Sequence, residues 1–227
     1  MEMAGKKFSA LSLDIAVTGG AHRWLHRVEK RPSSRGGDGS YSPKAWPLAT
    51  PRPCAFPSAG WHKTGAAEWE VRDGVLTGRQ GSGWAAGDIY TDLEWKDFEL
   101  EAEWKIRWPA NSGIWFHRTA ASPGYQIDLF DSKHYGDIYS GSVYRMGSEG
   151  KGFIGENRDR ESAVLDSWNK VRLRVAGDRI TVTQNGKHVV DIHDSRFPSG
   201  SLGVEVHGGQ AYEGMAVSIR RLRARAI

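Results

Sequence analysis

The segment DFELEAEWKI, residues 97–106, alternates without a break. Phe98, Leu100, Ala102, Trp104 and Ile106 fall on one side of an extended chain, and Glu99, Glu101, Glu103 and Lys105 on the other. A period of two does not suit a helix, whose apolar stripe returns every third or fourth residue; it describes a strand with one face buried. Similar signals recur downstream. EWEVRDGVLTG (68–78) brackets an Asp73-Gly74 hairpin turn, and NKVRLRVAGDRITVTQNGKHVVDI (169–192) reads as a three-strand meander with turns at Gly177-Asp178 and Asn185-Gly186. LGVEVHGG and EGMAVSIRRLRARAI supply two more strands, and no segment beyond residue 60 sustains a capped helical period. Many short antiparallel strands predict an all-β sandwich or jelly roll.

Composition excludes several other classes. The single cysteine, Cys54, rules out an intrachain disulfide framework, and no apolar run is long enough to cross a bilayer as a helix. The net charge of +4 is concentrated at one end: residues 1–60 hold nine Lys/Arg against four Asp/Glu, and the remainder 22 against 23. Six of the nine prolines also precede residue 61. Residues 1–60 are therefore expected to form a basic, poorly ordered leader, and residues 61–227 the folded domain, with no nucleic-acid surface. The first residues are similar to a secretion signal, but Asp14 interrupts the apolar stretch and Glu2 sits where positive charge belongs. No export signal is read there.

Alternation also assigns polar residues to faces. In residues 113–118, Ile114 and Phe116 oppose Trp115 and His117; in 124–131, Tyr125, Ile127 and Leu129 oppose Gln126 and Asp128; in 203–209, Val204 and Val206 oppose Glu205 and His207. If these strands are neighbours in a curved sheet, His117, Asp128, Glu205 and His207 share a groove with Trp115, and with Trp84 from the loop GSGWAAG (81–87). The alternative is that they form the solvated face of an antiparallel sheet, which alternates in the same way. For Glu99, Glu101 and Glu103 the solvated reading is the expectation.

The ordered segments WEVRDGVL (69–76), YT (90–91), DFEL (97–100), NSGIWF (111–116), GYQID (124–128), GSVY (141–144), WN (168–169), NG (185–186) and GVEVHGG (203–209) together resemble the 3-keto-disaccharide hydrolase domain family over residues 61–227. The resemblance implies a concanavalin-like jelly roll, of the lectin and glucanase type, that acts on glycosides whose ring C3 is a ketone. The roles expected for this chain's own residues are His207 or Asp128 as base, Glu205 as acid or orienting partner, and His117 or Arg118 as binder of the enolate oxygen. Gln126, Asn111, Trp115, Trp84 and Tyr144 would contact the sugar, with Asn111, Ser112 and Gly113 alternatively a structural turn. The resemblance further implies export and coupling to a sugar oxidoreductase. Gln126, Asp128, Glu205 and His117 each depart from the family's commonest residue, so individual roles do not transfer directly.

No cofactor is required by these residues, although a divalent ion among His117, Asp128, Glu205 and His207 suits their chemistry. Two other functions fit the same pattern: a non-catalytic carbohydrate-binding module, and an ordinary glycosidase with Asp128 and Glu205 as its carboxylate pair. DIHD (191–194), the four arginines within residues 220–225 and the long connection 144–162, with Glu156 and Arg158, are read as a strand end, a solvated strand and a groove rim.

Overall fold

The structure, a computed structural model, describes residues 60–107, 109–130 and 135–227. The expected leader, apart from residue 60, lies outside the described residues. The strands are β1 (Trp61–Gly65), β2 (Glu68–Arg72), β3 (Val75–Arg79), β4 (Gly87–Trp95), β5 (Phe98–Arg107), β6 (Asn111–Arg118) and β7 (Tyr125–Phe130). They continue with β8 (Val143–Arg145), β9 (Gly152–Gly155), β10 (Asn169–Ala176), β11 (Arg179–Gln184), β12 (Lys187–His193), β13 (Gly200–Val206) and β14 (Ala216–Ala226). The only helical piece among the described residues is a 3-10 turn at Gln210–Tyr212.

Two seven-stranded antiparallel sheets make a jelly-roll sandwich, ordered β1-β4-β13-β6-β7-β8-β9 and β12-β11-β10-β5-β14-β3-β2. The expected turns are where the strands reverse. Asp73-Gly74 and Asn185-Gly186 both adopt positive φ, the backbone that two-residue hairpins require. The connection 144–162 is not a bare loop, because β8 and β9 pair within it.

The core is the inner face of both sheets. Phe98, Leu100, Ala102, Trp104 and Ile106 of β5 are buried against Ile114, Phe116, Tyr125, Ile127, Val204 and Val206 of the first sheet. The outward glutamates of β5 are not merely solvated. Glu99 meets Arg174 and Arg225, Glu101 meets Lys170 and Arg172, and Glu103 meets Arg220 and Arg221. Burial pushes the Glu103 carboxyl up, but the two guanidiniums outweigh it and leave it lowered. The arginines of β14 are thus counter-ions within the sheet.

Candidate functional site

The outer face of the first sheet is built in rows. Asp88 of β4 is in register with Glu205 of β13, Glu205 with Gly113 of β6, and Gly113 with Asp128 of β7. The adjacent row runs Tyr90, Gly203, Trp115, Gln126 and Tyr144. Two glycines shape this floor. A Cβ at Gly113 would collide with the Gln126 side chain, and one at Gly203 with the Trp115 ring. Gln126 lies across the gap at Gly113, and Trp115 across the gap at Gly203. Asp128 and Glu205 are two strand spacings apart, about 9–10 Å of backbone, and the Gln126 side chain covers the Gly113 that lies between them.

Electrostatics follow from the enclosure. Asp128 is 5% exposed, and burial drives its carboxyl well above the usual range; a hydrogen bond from Gln126 opposes this and the Glu205 charge adds to it. Glu205 is also raised by burial, against the opposing pull of His207, Gln126 and Arg118. Burial thus pushes both carboxyls toward the protonated form, as it does for two acids in a shared dry site. His207 follows β13. Its Nδ1 donates to the Gly208 carbonyl at 2.8 Å, which sets Nε2 as the lone-pair nitrogen, and its ring meets Tyr212 edge-on at 5.0 Å. Asn111 Nδ2 donates to the hydroxyls of Tyr135 at 3.2 Å and Tyr212 at 3.3 Å, so it places two tyrosines beside the acids. Trp115 Nε1, Gln126 Oε1 and Asp128 Oδ1 are buried without hydrogen-bond partners among the described residues. Three orphaned polar atoms on one floor are costly unless a polar ligand or water meets them.

His117 is not on this face. β13 and β6 pair Ser201 with Arg118 and Gly203 with Trp115, so Phe116 and His117 together oppose Leu202. That bulge, with His117 at φ 54°, inserts an extra residue and turns the imidazole inward. Its nitrogens meet the carbonyls of Phe197 at 2.7 Å and Lys96 at 2.9 Å, and its ring packs against Phe98, Phe116 and Tyr125. Burial lowers its pKa, with those carbonyls opposing. His117 braces the two sheets rather than binding an oxyanion. The same bulge delivers Arg118 to the outer face, where its guanidinium stacks over Trp115 at 4.6 Å and its Nη1 donates to Asp88 at 2.7 Å.

With His117 removed, the proposed four-residue ion site dissolves: among the described residues no group of three His, Cys, Asp or Glu is arranged to hold a metal. In the DIHD stretch, Asp191 forms a forked pair with Arg179, and Asp194 is taken by Arg145 and Tyr125. Arg158 pairs with Asp137 and Glu156 at the surface. Ser112, whose hydroxyl donates to the Glu205 carbonyl at 2.6 Å, is structural. Trp84 is 39% exposed at φ 59°, and its carbonyl accepts from Gly209, tying the 81–87 loop to the segment after His207. Asp88 and Tyr90 escaped the sequence reading, although their alternation with the buried Ile89 marks them. Tyr135 and Tyr212 lie off the strands and carry no such signal.

The fold is shared with sugar-related proteins. Carbohydrate-binding module CBM66 of Bacillus subtilis superposes with a TM-score of 0.59 at 20% identity, over 74% of this chain and 96% of that one. A putative glycosyl hydrolase of Parabacteroides distasonis gives 0.54 at 19% identity, over 70% and 90%. In sequence, a 3-keto-disaccharide hydrolase of Bacteroides thetaiotaomicron is 26% identical over 161 residues, 59% of this chain. The chain spans about half the length, 54%, of that curated relative. Residues 57–225 match the profile of the 3-keto-alpha-glucoside-1,2-lyase-like domain, and the chain belongs to that family.

Proposed function

We propose that the chain cleaves glycosides bearing a ketone at C3, by removing the C2 proton and expelling the C1 substituent. A C3 ketone acidifies the C2 hydrogen. His207 Nε2, left as a lone pair by the Nδ1 bond to the Gly208 carbonyl, takes that proton. The C2–H electrons form the enolate, whose C3 oxygen is countered by Arg118. Collapse of the enolate breaks the C1–O bond and leaves a C1–C2 double bond. The departing oxygen takes the proton held by Asp128, whose raised pKa suits it to that task. Water then adds at C1, passing its proton to the Asp128 carboxylate as its oxygen bonds, while His207 returns its proton to C2, and the net result is hydrolysis. Glu205 supplies the negative charge that steadies the imidazolium.

The observation that carries this reading is the placement of Asp128, Glu205 and His207 on one face of the sheet, with His207 Nδ1 bonded to the Gly208 carbonyl. The ketone itself is the product of an oxidation, so a sugar oxidoreductase supplies the substrate. The test is release of reducing sugar from a 3-keto-disaccharide by wild type and by His207→Ala: turnover by the first and near-complete loss in the second are expected. Trp84 standing exposed beside the site, and the likeness to a binding module, favour a second reading as a lectin-like module. Calorimetric binding of unoxidised glycans with no turnover of the 3-keto compound would establish that reading instead.

A further inference from the structure

The opposite face of the molecule holds a second concavity, built by the same device as the acid pair. On the outer face of the second sheet, Ala216 of β14 is in register with Arg79 of β3 and Arg107 of β5. Ser218 is likewise in register with Thr77 and Lys105. Small residues on the middle strand leave a trough between longer ones on its neighbours. The resulting cleft has a volume of about 540 Å³, and Thr77, Arg79, Gln80, Lys105, Arg107 and Ser218 are among its lining residues. That volume lies in the range of small-ligand sites.

Charge on this sheet changes character here. Further along β5, each of Glu99, Glu101 and Glu103 is matched by two cations. Beyond Glu103 the outward positions become Lys105 and Arg107, and neither has an ion-pair partner among the described residues. Lys105 lies 5.3 Å from the Trp168 ring, which it shares with Arg220. Arg79 reaches Glu70 only at 3.7 Å, and Asp166 is the one carboxylate in the lining. The cleft therefore carries a net positive charge. It also holds an unmet acceptor. Gln80 commits Nε2 to the carbonyls of His207 at 3.0 Å and Gly209 at 2.9 Å, and its buried Oε1 has no donor among the described residues.

A ligand that satisfies this cleft needs an anionic group for Arg107 and Lys105 and hydroxyl groups for the Thr77–Ser218 pair. We infer that it is a second binding site, distinct from the acid pair, for an acidic sugar such as a uronate residue of an oligosaccharide. Guanidinium recognises carboxylate in a forked geometry, and small hydroxylated walls suit a pyranose ring.

Calorimetry with trigalacturonate, maltotriose and citrate tests the inference. Trigalacturonate is expected to bind the wild type, and its affinity to fall at least about tenfold in Arg107→Ala and in Lys105→Ala, with unchanged melting curves. Glu205→Gln, on the other sheet, is expected to bind trigalacturonate as the wild type does. Added sodium chloride weakens a contact of this kind. Absence of trigalacturonate binding, wild-type affinity in both cleft variants, or a loss confined to Glu205→Gln would overturn the site. Citrate binding as tightly as trigalacturonate, or maltotriose binding undiminished in the cleft variants, would overturn its assignment to acidic sugars.

Discussion

Asp128 and Glu205 stand in register with the same residue, Gly113, from opposite sides, and its missing side chain leaves a gap between the two carboxyls. Gln126 leans across that gap and hydrogen-bonds to both acids. The proposed chemistry depends on this arrangement.

Gly113→Ala tests the gap directly. The added methyl meets the Gln126 side chain, which is itself confined by burial. Overpacking of this sort costs about 1–3 kcal/mol. A lowered melting temperature is expected, together with a larger fall in kcat than in substrate affinity, read from steady-state kinetics on the 3-keto-disaccharide.

Asp128→Asn removes the transferable proton but keeps the shape. Loss of general-acid assistance lowers kcat by about 10²–10⁴-fold. The pH profile supplies a second readout. Asp128 acts in its protonated form, so wild-type activity falls as pH rises through its raised pKa, and that alkaline limb disappears in the variant.

The same substitution has a stability consequence of opposite sign. The folded-state pKa of Asp128 lies above its unfolded value, chiefly because of burial. Its contribution to stability is therefore complete below the unfolded pKa and is lost as pH rises through the folded one. Thermal melts at pH 4 and pH 8 are expected to show Asp128→Asn gaining on the wild type at the higher pH.

His117→Gln is expected to lower stability without touching chemistry. The imidazole bridges carbonyls contributed by Phe197 and Lys96 and sits among Phe98, Phe116 and Tyr125. Leaving such carbonyls unmet in the interior costs about 1–3 kcal/mol. Melting should drop, while kcat per folded molecule stays close to the wild type.

Trp115→Phe addresses sugar contact. The indole Nε1 is buried without an acceptor among the described residues, and the ring carries the Arg118 guanidinium. Phenylalanine keeps the platform and loses the donor. A several-fold rise in KM with little change in kcat is the expected split.

Much of this architecture was legible from alternation. β5 and the β10-β11-β12 meander follow directly from period two and from Asn-Gly or Asp-Gly pairs, because one buried face and two-residue turns leave few other solutions. Gln126, Asp128 and Glu205 fell on the outward side for the same reason. His117 did not, since a bulge between β13 and β6 depends on which strands become neighbours, and nothing in FHR announces it; Gly200, where a side chain would strike the His117 backbone, is the one local hint. Lys105 is legible only as the outward residue after Glu103, and Arg107 lies just past the alternating segment 97–106. Their isolation emerges only when β14 places Ala216 and Ser218 beside them.

The most direct measurement uses a 3-keto-disaccharide carrying deuterium at C2. Turnover by the wild type with a primary isotope effect on kcat/KM, and retention of the label by His207→Ala, is the predicted result. Cleavage at C1 with no isotope effect and with the C2 deuterium kept in the product would contradict proton removal from C2.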